Sequence, residues 1–95
     1  MVHSDRYMHK DLVTVTIEKA LFDIGAPAYD AIVLALKDTY HCIIPDCYEH
    51  PEYLKNVLEQ YFGQASGAVI TAITQNLDKS AKNSTIDNFL LVLNK

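Results

Sequence analysis

The sequence predicts an all-α fold: two helix–glycine–helix hairpins packed together, giving four core helices, with a fifth helix at the C-terminus. Three observations predict it. Apolar residues recur at helical spacing through most of the 95 residues. Gly25 and Gly63 stand where two of those stripes end, and Pro27 and Pro51 stand where two others begin. The most β-prone run, Leu12 to Ile17, continues through Glu18-Lys19-Ala20-Leu21 into a helical stripe without a turn signal.

Helix 1 is expected from about Asp11 to Ile24, because Val13, Ile17, Ala20, Leu21 and Ile24 share one face and Gly25 then supplies a left-handed end. Pro27 opens helix 2, whose Tyr29, Ile32, Val33, Leu36 and Tyr40 form a stripe lined further by Ala28, Ala31, Leu34 and Ala35. So little polar surface predicts a central, buried helix. Residues 41–50 break the pattern with Pro45 inside, and read as a loop. Helix 3 starts at Pro51, with Leu54, Val57, Leu58, Tyr61 and Phe62 inward, Glu52, Lys55, Asn56, Glu59 and Gln60 outward, and Gly63 ending it. Helix 4 runs from about Ala65 to Leu77 on Val69, Ile70, Ile73 and Leu77, with Ala65, Ala68 and Ala72 as small residues permitting close helix approach. Its lack of charge predicts burial on more than one side, so helices 2 and 4 are expected to be the least exposed. A polar connector at 78–83 leads to a last helix over 84–94, where Ser84 with Asp87 three residues on suggests an N-cap. Residues 1–95 thus form a single helical domain with its core at about 11–77.

Composition removes several function classes. The 8 Lys and Arg face 12 Asp and Glu, a net charge of −4, which argues against a dedicated nucleic-acid binder whose affinity comes from neutralising phosphates. Arg6 and Lys10 near the start, and Lys79 and Lys82 in the connector, are too sparse for many phosphate contacts. The first residues, with His3, Asp5, Arg6, His9, Lys10 and Asp11, lack the apolar region of a secretory signal. The stretch from Gln60 to Leu77 is too polar to cross a membrane. Two cysteines make no disulfide framework, and a reducing cytoplasm is the expected compartment. No dinucleotide, phosphate-loop, zinc-protease or calcium-loop pattern occurs.

One segment gathers reactive side chains. From Tyr40 to Glu52 lie both cysteines, two of the four histidines and three carboxylates. No basic residue falls between Lys37 and Lys55, while Asp38, Asp46, Glu49 and Glu52 are all acidic, so the local field favours a cation. His41, Cys42, Cys47 and His50 are the four candidate ligands of a zinc ion, two nitrogens and two sulfurs in one loop. Against this, His41 beside Cys42 has difficulty pointing the same way, and structural zinc sites draw ligands from two separate knuckles. The plain alternative is that Cys42, Ile43 and Ile44 plug the loop into the core, Cys47 packs beneath helix 3 and His50 caps it. A reversible disulfide, or a Cys47 nucleophile served by His50, is also open, though the acidic surroundings raise a thiol pKa and oppose activation. No cofactor other than this zinc is suggested.

In the C-terminal helix, Ile86, Phe89, Leu90 and Leu93 form one stripe for packing onto the bundle, while Leu91 and Val92 project on the flanks. Their exposure predicts a homodimer through this helix, since a two-fold self-complementary patch is the commonest way to bury such residues.

The residues also resemble a known family. Ile24-Gly25-Ala26-Pro27, then Tyr40-His41-Cys42 leading to Pro45-Asp46-Cys47-Tyr48-Glu49-His50-Pro51-Glu52-Tyr53-Leu54, then Tyr61-Phe62-Gly63 with Ile70 and Ile73, are similar to the nitrosopumilus-type output domain, a small helical module of ammonia-oxidising archaea. The similarity covers about Leu12 to Leu77, and Asp-Cys-Tyr-Glu-His-Pro-Glu is its most specific part; the last helix lies outside it. The resemblance implies an archaeal regulatory or interaction role without catalytic residues. The expected function is therefore a non-enzymatic, protein-binding regulatory domain, with a metal or thiol sensor at residues 41–50 as the alternative and a small DNA-binding regulator as a third.

Overall fold

The computed structural model describes the backbone of residues 4–80 and 84–95, and the side chains of residues 9–77 and 86–95. Among them stand α1 (Ser4–Ile24), α2 (Ala26–Tyr40), α3 (Pro51–Phe62), α4 (Ser66–Ser80) and α5 (Ser84–Leu93). Short 3-10 helices occupy Ile44–Tyr48 and Gly63–Ala65. No strand occurs among the described residues, so the chain is all-α. The expected roles of His3, Arg6, Lys79, Lys82 and the Ser84 cap fall on side chains outside those described.

α1 begins at Ser4, well before Asp11, because nothing in the polar stretch ahead of Val13 breaks a helix. Within it the β-prone run is helical. Thr14 Oγ1 donates to the Lys10 carbonyl and Thr16 Oγ1 to that of Leu12, both at 2.8 Å, which satisfies two hydroxyls that would otherwise compete with the helix. Val13, Ile17, Ala20 and Leu21 are buried as their stripe predicts. Ile24 is not: the helix runs past the end of the core and leaves it half exposed.

A single residue separates α1 from α2. Gly25 has φ 151° and ψ 153°, an extended mirror conformation and not the left-handed helical one expected, and L-residues rarely adopt it. Its N–H still donates to the Leu21 carbonyl (3.0 Å), and its own carbonyl accepts from Ala28 (3.1 Å) and Tyr29 (3.3 Å), so the hinge closes one helix and starts the next. Pro27 lies in the first turn of α2, where a missing N–H costs nothing.

The hairpins α1–α2 and α3–α4 pack through α1 on α4 and α2 on α3, and α5 lies over α3 and α4. This changes the expected centre. α3 meets α2, α4, α5 and the 3-10 helix Ile44–Tyr48, and buries Pro51, Leu54, Val57 and Leu58. Among the described residues α2 packs chiefly on α1 and α3 and buries only Ala28, Ile32 and Leu36. α4, which meets α1, α3 and α5, is well buried as expected and shares the centre with α3, whereas α2 is an edge helix despite its apolar composition. α4 buries Ser66, Val69, Ile70, Ile73 and Leu77, but Ala65 and Ala68 face solvent. Tyr61, expected inward, is half exposed near the end of α3, edge-on to Phe62. α4 also continues to Ser80 through what reads as connector.

Candidate functional site

The cysteine–histidine segment is built as a staple between α2 and α3. His41 ends α2 in a left-handed conformation, φ 54° and ψ 42°, the sole non-glycine positive φ among the described residues. Its N–H donates to the Lys37 carbonyl (3.0 Å), closing the last turn, and the Cys42 N–H donates to that of Leu36 (3.4 Å). The 3-10 helix then starts on a reciprocal pair: the Asp46 N–H donates to the Ile43 carbonyl (2.9 Å), and Asp46 Oδ2 accepts from the Ile43 N–H (3.0 Å). The Asp46 carbonyl accepts from Glu49 and His50, and the His50 carbonyl accepts from Tyr53 (3.0 Å) as α3 begins. Outside this staple, Lys10 Nζ of α1 meets Glu49 Oε1 at 3.4 Å, a pair too exposed to add much stability.

The plug differs in detail from expectation. Ile44, Cys47 and Tyr48 are buried against α1 and α3, and Cys42 is half-buried on the core, whereas Ile43 points out at 61% exposure. A 3-10 turn carries three residues per revolution, so Ile44 and Cys47 share the inward face and Ile43, just ahead of the turn, does not. His50 is the N-cap residue of α3, but its side chain makes no capping bond. Instead the ring lies flat on Tyr53, with centroids 4.6 Å apart, and Nδ1 stands 3.4 Å from Glu52 Oε2.

This arrangement does not bring the candidate ligands together. Among the described residues no group of three or more His, Cys, Asp and Glu side chains is placed to hold a metal ion. His41 is exposed on its cap, Cys47 is fully buried and His50 lies outside on Tyr53, so the set His41, Cys42, Cys47 and His50 diverges. Both thiols are shifted toward the protonated form. Burial, then the neighbouring Cys42, Asp46 and Glu52, pushes the Cys47 thiol up to about 12, and burial followed by Asp46 raises that of Cys42. A nucleophile or a redox thiol needs the opposite shift.

What the loop does assemble is an aromatic stack that sequence reasoning missed. Tyr53 lies parallel to Tyr40 (4.0 Å, 7°) and to His50 (4.6 Å, 10°), which places the two rings on its opposite faces. Asn56 Nδ2 donates to the Tyr40 hydroxyl at 2.8 Å. The available signal was Tyr40 as the last residue of α2 and the spacing of His50, Tyr53 and Asn56 at the start of α3. A second stack, Phe22 on Tyr29 at 4.2 Å, bridges the surface of α1 and α2.

The interface residues expected in α5 divide as their spacing implies. Ile86, Phe89, Leu90 and Leu93 are buried within this chain's own bundle, Val92 is half-buried, and Leu91 is 66% exposed. The Lys55 ammonium donates to the Lys95 main-chain oxygen, and Asn94 Nδ2 donates to Thr74 Oγ1 at 3.0 Å, so α5 is tied to α3 and α4 at its end. Ala68 and Ala72, two of the three alanines expected to permit close helix approach, lie where α4 packs on α1 and help line an open, mostly apolar groove of about 200 Å³ between the two helices, formed with Ala20, Asp23, Ile24 and Val69. No helix among the described residues is long and apolar enough to cross a membrane. Neither a protein family, nor a curated protein, nor a solved structure matches the chain.

Proposed function

We propose that this chain is a small regulatory domain that works by binding protein and not by catalysis. The observation that carries the reading is the large apolar surface left on helices whose buried faces are already complete: Val15, Phe22, Leu34 and Leu91 each stand more than half exposed, as does Ile43 in the loop after α2. Isolated surface apolar residues are ordinary, but Phe22 is stacked on Tyr29 across two helices and so forms a held patch with defined shape. The acidic balance and the resemblance to an archaeal output domain support the same reading. Two free thiols fit a reducing cytoplasm. Self-association as a homodimer belongs to it as well.

The experiment is capture from native extract on the immobilised chain, run beside Phe22→Ser, with crosslinking to identify what is held. A partner retained by the natural sequence and lost by the variant is expected; equal or no specific retention would overturn the reading. The zinc or thiol sensor at His41, Cys42, Cys47 and His50 draws less support, because the ligands diverge and the thiols are raised. Native mass spectrometry with equimolar zinc, before and after both cysteines become serine, separates the two.

A further inference from the structure

α2 is the helix whose composition and position disagree most. Its buried residues, Ala28, Ile32 and Leu36, satisfy one face. The opposite face carries Asp30, Leu34 and Lys37 at i, i+4 and i+7, all exposed, Leu34 at 57%. On a helix of 3.6 residues per turn these three lie within a stripe about 60° wide, with acid and base about 10 Å apart along the axis. Neither Asp30 nor Lys37 has an ion-pair partner among the described residues. Pro27 and the half-buried Ala31 extend the apolar surface beside them.

A stripe that reads acid, leucine, base is complementary to itself when reversed. We propose that this face of α2 pairs antiparallel with the same face of a second copy of the chain, about a two-fold axis between Val33 and Leu34. Asp30 then faces Lys37 of the second copy, Lys37 faces its Asp30, and the two Leu34 side chains pack between them. The register is selective, because an axis through Leu34 itself would oppose Asp30 to Asp38 of the other copy and set like charges together. The isologous contact also covers the edge helix that the bundle leaves open.

Two other surfaces compete less well. In α5, Asp87 and Lys95 flank Leu91, but the helix ends at Leu93, so no helical spacing holds Lys95 in register. The groove between α1 and α4 offers no charge pattern that selects an occupant. The proposal rests on the reading of the chain as an interaction domain and names the partner and the face. One helix per side makes a contact at the low end of specific interfaces, so a dissociation constant on the order of ten micromolar is expected.

The test is sedimentation equilibrium of the full chain up to about 500 µM, with Asp30→Lys and Lys37→Asp measured separately and as an equimolar mixture. Both positions are exposed, and circular dichroism with thermal melting checks that each variant is folded. Each single variant puts two like-charge pairs across the axis and is expected to weaken association about ten- to thirty-fold. The mixture restores both opposite-charge pairs in a heterodimer and is expected within about three-fold of the natural sequence. Leu34→Asp should dissociate the dimer and Leu91→Asp should not. A natural sequence monomeric at 500 µM, a mixture as weak as its components, or dissociation by Leu91→Asp alone overturns the pairing. If partner capture persists in any of those cases, the wider reading stands while this face does not.

Discussion

His41→Gly tests the end of α2, and with it the geometry that separates the candidate ligands. His41 holds φ 54° and ψ 42° although it carries a Cβ, and in that region the Cβ crowds the following carbonyl at a cost of about 1–2 kcal/mol. Its ring is exposed and takes no hydrogen bond or ring contact among the described residues, so removing it sacrifices little. Glycine releases the strain but adds freedom to the unfolded chain, an offset of about 0.4–1 kcal/mol. The net expectation is a gain of about 0.5–1 kcal/mol. For a domain of this size that raises the melting temperature by about 2–8 °C.

The assay is thermal and urea denaturation of three chains: the natural sequence, His41→Gly and His41→Ala. Alanine keeps the Cβ in the strained region and loses only the exposed ring, so it should fall within about 0.5 kcal/mol of the natural sequence. A glycine variant no more stable than the alanine one would refute the reasoning. Because both variants lack the ring, it would mean that residue 41 is not left-handed.

Other perturbations probe the remaining elements. Gly25→Ala meets only an ordinary contact with Pro27 Cδ at 3.6 Å, so its cost is backbone strain, about 1–3 kcal/mol by urea denaturation; a neutral variant would show that the hinge adopts another conformation. The Cys47 thiol is raised in the folded chain to about 12 from an ordinary value near 9, so the unfolded chain loses this proton first. Its contribution is unchanged below about pH 9 and is lost toward pH 12 at about 1.4 kcal/mol per pH unit, and Cys47→Ala should lack that slope between pH 9 and 10.5. Equal slopes in the two chains would place the thiol in solvent. Phe89→Ala empties a fully buried site and should cost about 3–5 kcal/mol, while Leu91→Ala, one turn face away, should change stability by less than about 0.5 kcal/mol; similar effects would deny that α5 docks by its stripe.

The helices were legible because burial leaves a period. Val13, Ile17 and Leu21 in α1, Leu54, Val57 and Leu58 in α3, and Ile86, Phe89, Leu90 and Leu93 in α5 are all buried, and each set could be read from spacing alone. The candidate site was less legible for a different reason. Cys42, Cys47, His41 and His50 are close along the chain, but which way each side chain points depends on a left-handed residue at 41 and a 3-10 turn at 44–48. Neither conformation has a strong sequence signal, since histidine is an uncommon left-handed cap and 3-10 turns are short. Proximity in sequence therefore suggested a ligand set that the backbone disperses, while the Tyr40–Tyr53–His50 stack, which depends on the approach of two helix ends, left almost no trace.

The misplacement of α2 has another origin. Its apolar residues spread around most of the helix, which a composition argument converts into a central position. Composition reports how much surface a helix asks to bury, whereas the order of hairpins fixes how many neighbours it receives. With α5 laid across α3 and α4 and the 3-10 helix set against α1 and α3, the described bundle covers α2 chiefly with α1 and α3 and leaves Leu34 uncovered. The helix is then over-provided with apolar surface relative to its place in the fold. A charge pair set at i and i+7 around that leucine supplies orientation that apolar surface alone lacks, because each copy presents an acid where the reversed copy presents a base. The excess that made the sequence-based placement fail is thus the same feature on which the proposed pairing with a second chain rests.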